Sequence, residues 1–325
     1  MPEQNLKELI KESRPNIKDS SIKMYESNLN KLKKMFDADD WKFLDDVDEV
    51  VNKLGHLTSN TRRNYYNSVI ILLMALNDKG EHDEVLKKYE ELRDKGNQDY
   101  QDAQASGQIS DKQKENFVDI EEVYKMIETM GKELKERKIK KKEDLSSKDK
   151  ALLQVYVMYN ILVRIPLRND LSGMDAITKR AYNKLSKDEK EAQNFMVVEK
   201  DKLWFVLNKY KTSSKYEELR IDIEDNDLKK LLRMYIRING MGELFKSSTG
   251  KALSRNAISQ LLLKTSEKYM NKKISTTMLR KIYLSSKYSD LKNEMKKDAH
   301  MMGHSVETQQ KVYVKEGTEG SVDKS

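Results

Sequence analysis

Met196-Val197-Val198, Leu203-Trp204-Phe205-Val206-Leu207 and Leu219-Arg220-Ile221-Asp222-Ile223 are the three runs that decide the fold class. They are short, rich in β-branched and aromatic residues, and separated by polar turns, which is the signature of β-strands. They interrupt a chain that otherwise reads as helix. Only three prolines and twelve glycines occur in 325 residues, and helix interiors reject both types. The expected fold is therefore mainly α with a small antiparallel β-sheet of three strands between Phe195 and Ile223. Helical patterns resume at Asp227.

Moving toward the N-terminus, Ile22, Tyr25, Leu29, Leu32 and Phe36 recur at steps of three and four, giving one apolar helix face. Asp45 to Leu54 makes a short second helix. Ser59 can cap a third, running through Arg62, Arg63 and Tyr66 into Val69-Ile70-Ile71-Leu72-Leu73. A fourth covers Asp83 to Lys95. From Gly96 to Asp119 the chain turns polar, and part of this stretch reads as an interdomain linker. The boundaries expected are a helical domain over 1–105, a linker over 106–118 and a second domain over 119–325. That second domain opens at the helix start Val118-Asp119-Ile120-Glu121-Glu122-Val123. The basic run Lys138 to Lys142 fits a solvated loop or a contact to a nucleic-acid backbone.

The length suits two domains of ordinary size. Apolar residues make up 37% and charged residues 36%, with a net charge of +8 and a pI near 9.1. A basic surplus suits a polyanion such as DNA or RNA. Cysteine is absent, which excludes disulfides, cysteine-based zinc fingers and cysteine nucleophiles. Met1 to Ile10 lacks the charged-then-apolar pattern of a signal peptide. The longest apolar stretch, Ala151 to Leu167, is broken by Gln154, Asn160 and Arg164 and ends around Pro166, as a buried helix would. The expectation is an intracellular, soluble protein with access to DNA and no membrane partner. The lysine- and asparagine-rich style points to an AT-rich genome, such as that of a mobile element or a large DNA virus.

Near the C-terminus stands Met301-Met302-Gly303-His304, with Tyr313 nine residues after the histidine. Gly303 fits a left-handed turn that a bulkier residue would strain. Two arginines lie upstream, Arg168 in Pro166-Leu167-Arg168-Asn169-Asp170-Leu171 and Arg280 in Thr277-Met278-Leu279-Arg280-Lys281. Breaking a phosphodiester needs a nucleophile, neutralisation of phosphate charge and a proton for the leaving oxygen. Tyrosine can supply the nucleophile through a covalent intermediate. Arginine suits the second task, because its fixed fork binds two phosphate oxygens and never loses its charge. His300 and His304 are four apart, but the residue after His300 is Met301 where a zinc-protease helix has glutamate. No metal is expected.

Over roughly residues 10 to 315 the chain resembles the tyrosine recombinases, or phage-type integrases. The resemblance implies an N-terminal four-helix, SAM-like DNA-binding domain followed by a recombinase catalytic domain. It implies a site-specific recombinase active in DNA integration, with Tyr313 as the nucleophile forming a 3′-phosphotyrosyl bond. Arg168, Arg280 and His304 would stabilise the pentavalent phosphorus. Lys211, in the turn after the second strand, would protonate the leaving oxygen, with Lys209 and Lys215 as alternatives. Thr277 holds the place where the family pattern has histidine or lysine; threonine cannot carry charge, and Lys281 or water could take over its part. DNA contacts are expected from Lys23, Arg62, Arg63 and Asn67 in the first domain. In the second they are expected from Lys251, Arg255 and Asn256, at a helix opened by a Ser254 cap. The implied partners are double-stranded DNA and further copies of the chain: a homo-tetramer on DNA passing through a Holliday junction, a monomer or dimer when free. No cofactor is implied. The same residues also fit a type IB topoisomerase that relaxes supercoils, and a DNA-binding relative impaired in catalysis, for which Thr277 is the sign.

Overall fold

The chain divides into two units, Met1–Ser110 and Asp111–Ser325. A computed structural model describes residues 6–77, 80–105, 111–139, 145–211, 213 and 218–309.

The first unit is helical: α1 (Leu6–Ser13), α2 (Asp19–Phe36), α3 (Val47–Leu54), α4 (Ser59–Leu76) and α5 (Asp83–Ala105). The apolar face read along α2 is the one it buries, with Ile22, Leu29 and Leu32 fully enclosed. Its core adds Leu44, Val50, Leu54, Val69, Leu72 and Tyr89, and the buried Tyr89 hydroxyl donates to the Leu44 carbonyl at 3.0 Å. Two local expectations are corrected. Thr58, not Ser59, caps α4, accepting from the Thr61 amide. Helix α5 also runs past Lys95 to Ala105, through residues whose polarity reads as linker. Contact with α4 explains this. Gly96 packs beside the Arg63 side chain, where an added Cβ would sit in ordinary contact at 3.7 Å. Arg63 then donates to Asn97 at 3.3 Å and lies 4.9 Å over the Tyr100 ring.

The second unit begins with α6 (Asp111–Lys114), α7 (Ile120–Glu136) and α8 (Ser147–Leu162). A mixed segment follows: β1 (Met174–Thr178), α9 (Lys179–Tyr182), α10 (Lys187–Glu191), β2 (Asn194–Val198), β3 (Leu203–Leu207), β4 (Leu219–Asp222), α11 (Asn226–Asn239) and β5 (Gly242–Glu243). It closes with α12 (Arg255–Met270), α13 (Thr276–Met301) and α14 (Val306–Thr308). The three strands read from the sequence are β2, β3 and β4, and they pair antiparallel. The sheet extends further than they do. Its order is β4-β3-β2-β1-β5, and β1 runs parallel to β2, so the sheet is mixed. The residues of β3 are all buried, and of β2 only Val198 is partly exposed. That burial accounts for apolar runs without alternation.

Helix α8 occupies the long apolar stretch and is buried along most of its length. Among the described residues no helix is long and apolar enough to cross a membrane. Buried polar groups knit α8 to its neighbours. The Tyr159 hydroxyl donates to the Leu262 carbonyl on α12 at 2.7 Å. The Gln154 side-chain oxygen takes the Lys246 amide at 2.8 Å and the Tyr235 hydroxyl at 3.3 Å. A buried polar atom left without a partner is costly, so these bonds fix α8 against α11 and α12.

Candidate functional site

Proline 166 places Arg168. It has no amide hydrogen, and it steers the residue before it away from helix, so the chain leaves α8 just beyond Val163. A single 3₁₀ turn, Asn169–Leu171, follows, with Arg168 as its exposed first flank and with Asp170 and Leu171 buried. The turn is bolted to the start of α12. Asn169 donates to the Ser259 hydroxyl at 2.9 Å, and the Ser172 hydroxyl donates to the Leu253 carbonyl at 2.8 Å.

Asp170 is the centre of a charged cluster. Burial pushes its carboxyl above the usual range, while the charges of Arg255, Arg168 and Arg280 and the Arg168 backbone N–H pull it back. Arg255 stands 3.7 Å from an Asp170 carboxylate oxygen. It enters from the first turn of α12, whose cap is Ser254, accepting from Ala257 at 3.2 Å. Arg280 enters from the second turn of α13, which Ser275 caps through the Met278 amide at 3.2 Å. Its guanidinium is half-buried. Desolvation and the nearby Arg168 charge both push its pKa down, and Asp170 opposes them. Among the described residues, neither the Arg168 nor the Arg280 side chain makes a hydrogen bond or an ion pair within 4 Å. Three guanidinium charges gather round one carboxylate, and the surplus is positive. A cluster of that charge is chemically suited to an anion, since a phosphate would relieve the repulsion between the guanidiniums.

Lys211 is exposed in the turn after β3, which the Ser213 amide closes by donating to the Tyr210 carbonyl at 3.2 Å. A residue that sequence reasoning missed ties this turn to the arginine turn. Asn194, at the start of β2, is 3% exposed. Its amide nitrogen donates to the Asp170 carbonyl at 3.0 Å and the Lys209 carbonyl at 3.3 Å. Its oxygen accepts from the Asn208 and Lys209 amides at 3.0 and 2.8 Å. In the sequence it reads as an ordinary turn residue before a strand.

Gly303 and His304 form the expected turn. Gly303 has φ +68, and the His304 amide reaches back to the Ala299 carbonyl at 3.0 Å, closing α13 as left-handed glycine caps do. The His304 Nδ1 lies 3.1 Å from the Ser305 carbonyl. A carbonyl only accepts, so Nδ1 carries the hydrogen. This turn is not gathered with the arginines. Arg280 and His304 stand at opposite ends of α13, a continuous helix of 26 residues. At 1.5 Å per residue, Arg280 and Met301 are about 30 Å apart along its axis. From Leu284 to Asp298 the helix is exposed apart from the partly covered Met295. Leu284, Tyr288 and Leu291 make an uncovered apolar stripe there.

The remaining candidates are placed as follows. Thr277 is exposed on the first turn of α13. Lys281, the proposed substitute for the missing histidine, donates instead to Gln113 at 3.0 Å. Lys251 and Asn256 are exposed near the start of α12. In the first unit, Lys23 is exposed on α2, and Asn67 is half-buried on α4. Arg62 reaches the Gly55 carbonyl at 3.4 Å, and Arg63 holds α5 as described. Lys140, Lys141, Lys142, Lys215 and Tyr313 lie outside the described residues.

No protein-family model matches the chain, and no curated protein matches it. Among solved structures it is similar to a crystal structure of XerA recombinase, at 13% identity over 96% of this chain and 94% of that chain, with a TM-score of 0.34. At that TM-score the likeness carries no argument about chemistry or partner.

Proposed function

We propose that this chain is a site-specific DNA recombinase of integrase type that cuts and rejoins double-stranded DNA through a 3′-phosphotyrosyl bond. The observation that carries the reading is the pair of guanidiniums Arg168 and Arg280, which make no side-chain hydrogen bond or ion pair within 4 Å among the described residues, set beside Arg255 and the buried Asp170. They come from segments far apart in sequence, and the resemblance to the tyrosine recombinases implies a phosphate contact for both.

In the proposed step, the Tyr313 oxygen attacks phosphorus and its proton passes to water. An O–P bond forms as the bond to the 5′ oxygen breaks. That oxygen takes a proton from the Lys211 ammonium, which solvent later restores. Arg168 and Arg280 meet the charge that grows on the nonbridging oxygens; donors aimed this way each contribute about 3 kcal/mol. His304 donates to the same phosphate through Nε2, a role that needs the ring protonated on both nitrogens because the Nδ1 hydrogen faces the Ser305 carbonyl. The anionic partner is DNA because the reaction class and the net charge of +8 both call for it.

The geometry of α13 supports a site shared between copies. A phosphate ligand must come within about 3 Å of its oxygen, whereas α13 holds His304 an order of magnitude farther from Arg280. A second copy can bring its own helix tip to these arginines, and the stripe of Leu284, Tyr288 and Leu291 offers an apolar face for that contact. The proposal is tested with a nicked duplex taken from DNA flanking the gene, designed so that a short cleaved strand diffuses away. The expected result is a protein–DNA adduct that survives denaturing electrophoresis and disappears in Tyr313→Phe while DNA binding persists. An adduct that survives in Tyr313→Phe, or none in the wild type on any flanking duplex, sinks the reading.

A further inference from the structure

We propose that Asn194 is a positioning residue for proton delivery, one that fixes the Lys211 turn against the Arg168 turn; the inference rests on the strand-cleavage reading. The Asn194 amide spans two backbone segments, and each lies two residues from a side chain assigned to the phosphate. On one side it holds the carbonyl of Asp170, two residues after Arg168. On the other it holds both the amide and the carbonyl of Lys209, two residues before Lys211. The amide orientation is settled by chemistry. Two carbonyls face the nitrogen, two N–H groups face the oxygen, and neither set can be exchanged. Burial makes the arrangement demanding, since any group that fails to supply both donor and acceptor leaves a backbone atom unsatisfied.

The neighbouring residue works in the same direction. Asn208 donates to the carbonyls of Lys190 and Gln193 at 2.7 and 3.3 Å, so the end of β3 is clamped to the entry of β2 from both sides. Lys211 itself is exposed, and the clamp at Lys209 is what limits where its ammonium can go. A long flexible side chain on a loose turn would spread its proton over many positions. One held two residues away is aimed, and positioned proton transfer is worth about 10²–10⁴-fold in rate.

The test uses the full chain and two versions of the nicked flanking duplex. One has the ordinary 5′ oxygen as leaving group, and the other has sulfur in that bridging position. A thiol has a pKa near 8.5 and departs as thiolate without a proton, whereas the alkoxide needs one. Asn194→Asp keeps the shape but sets oxygen against the two carbonyls. Its adduct rate should fall about 100-fold on the oxygen duplex and return to within about threefold of wild type on the sulfur duplex. Lys211→Ala should show the same rescue, and Arg280→Ala should stay slow on both. Should Asn194→Asp fail to fold by circular dichroism, Asn194→Ser is read on the same pair of duplexes. Equal losses on both duplexes, or no loss on either, overturn the role of Asn194 while leaving the recombinase reading intact. A wild type that forms no adduct with either duplex removes both.

Discussion

Mixing two inactive variants tests whether α13 delivers its tip to its own arginines or to those of another copy. The helix keeps Arg280 and Met301 about 30 Å apart at 1.5 Å per residue, a separation that no side chain bridges. Arg280→Ala keeps Tyr313 but lacks a phosphate ligand, and should lose about 10²–10³-fold in cleavage. Tyr313→Phe keeps the ligands but has no nucleophile. Mixed in equal amounts, about half of all pairs contain one of each, and in each such pair one of two exchanged sites has every group. Adduct should therefore return to about a quarter of the wild-type yield in a dimeric assembly. Every adduct should reside on the Arg280→Ala chain, which a size tag on that variant reveals on a denaturing gel. If the mixture gives no more adduct than the two variants run separately, the reasoning is refuted, and α13 must break to close the site within one chain.

Two further predictions concern the scaffold. The Asp170 carboxyl is raised above its ordinary 3.8 in the folded protein, so the folded state binds protons more tightly there than the unfolded state. Its contribution is therefore unfavourable above the folded pKa and is relieved as pH falls toward 3.8. Asp170→Asn should remove that slope, so that wild type loses stability relative to the variant as pH rises through this window; parallel slopes in chemical denaturation would contradict it. Tyr159→Phe deletes the buried bond to the Leu262 carbonyl and should cost about 1 kcal/mol. For a unit of this size that is a fall of about 2–4 °C in Tm, and an unchanged melting curve would show that the bond does not hold α8 to α12.

The larger features of the fold were legible because local pattern and final packing agree. The strands β2 to β4 announce themselves by dense β-branched and aromatic runs, and α2 by its apolar face. Pro166 marks where the chain must leave α8, which puts Arg168 on a turn. What was not legible depends on tertiary contact. Strands β1 and β5 are short and weakly patterned, Met-Asp-Ala-Ile-Thr and Gly-Glu, and exist because they complete a sheet. The end of α5 looks like linker until Arg63 is seen against Asn97 and Tyr100. Asn194 gives no signal, since its four partners are backbone groups from elsewhere in the fold. The unbroken α13 had a signal that the motif reading passed over: no glycine or proline occurs between Gly250 and Gly303.

The outer margins of the sheet carry one more consequence. At one margin β4 exposes Arg220 and Asp222, paired at 2.8 Å, with the Arg220 guanidinium lying 4.5 Å over the Trp204 ring. At the other, β5 is two residues long, and its Glu243 faces Asp175 across the ladder. Charge on one rim and brevity on the other deny a docking strand the long, neutral template it needs. Extension of the sheet is therefore a poor route by which copies of this protein could polymerise, and among the described residues the uncovered stripe of Leu284, Tyr288 and Leu291 offers a more open apolar face.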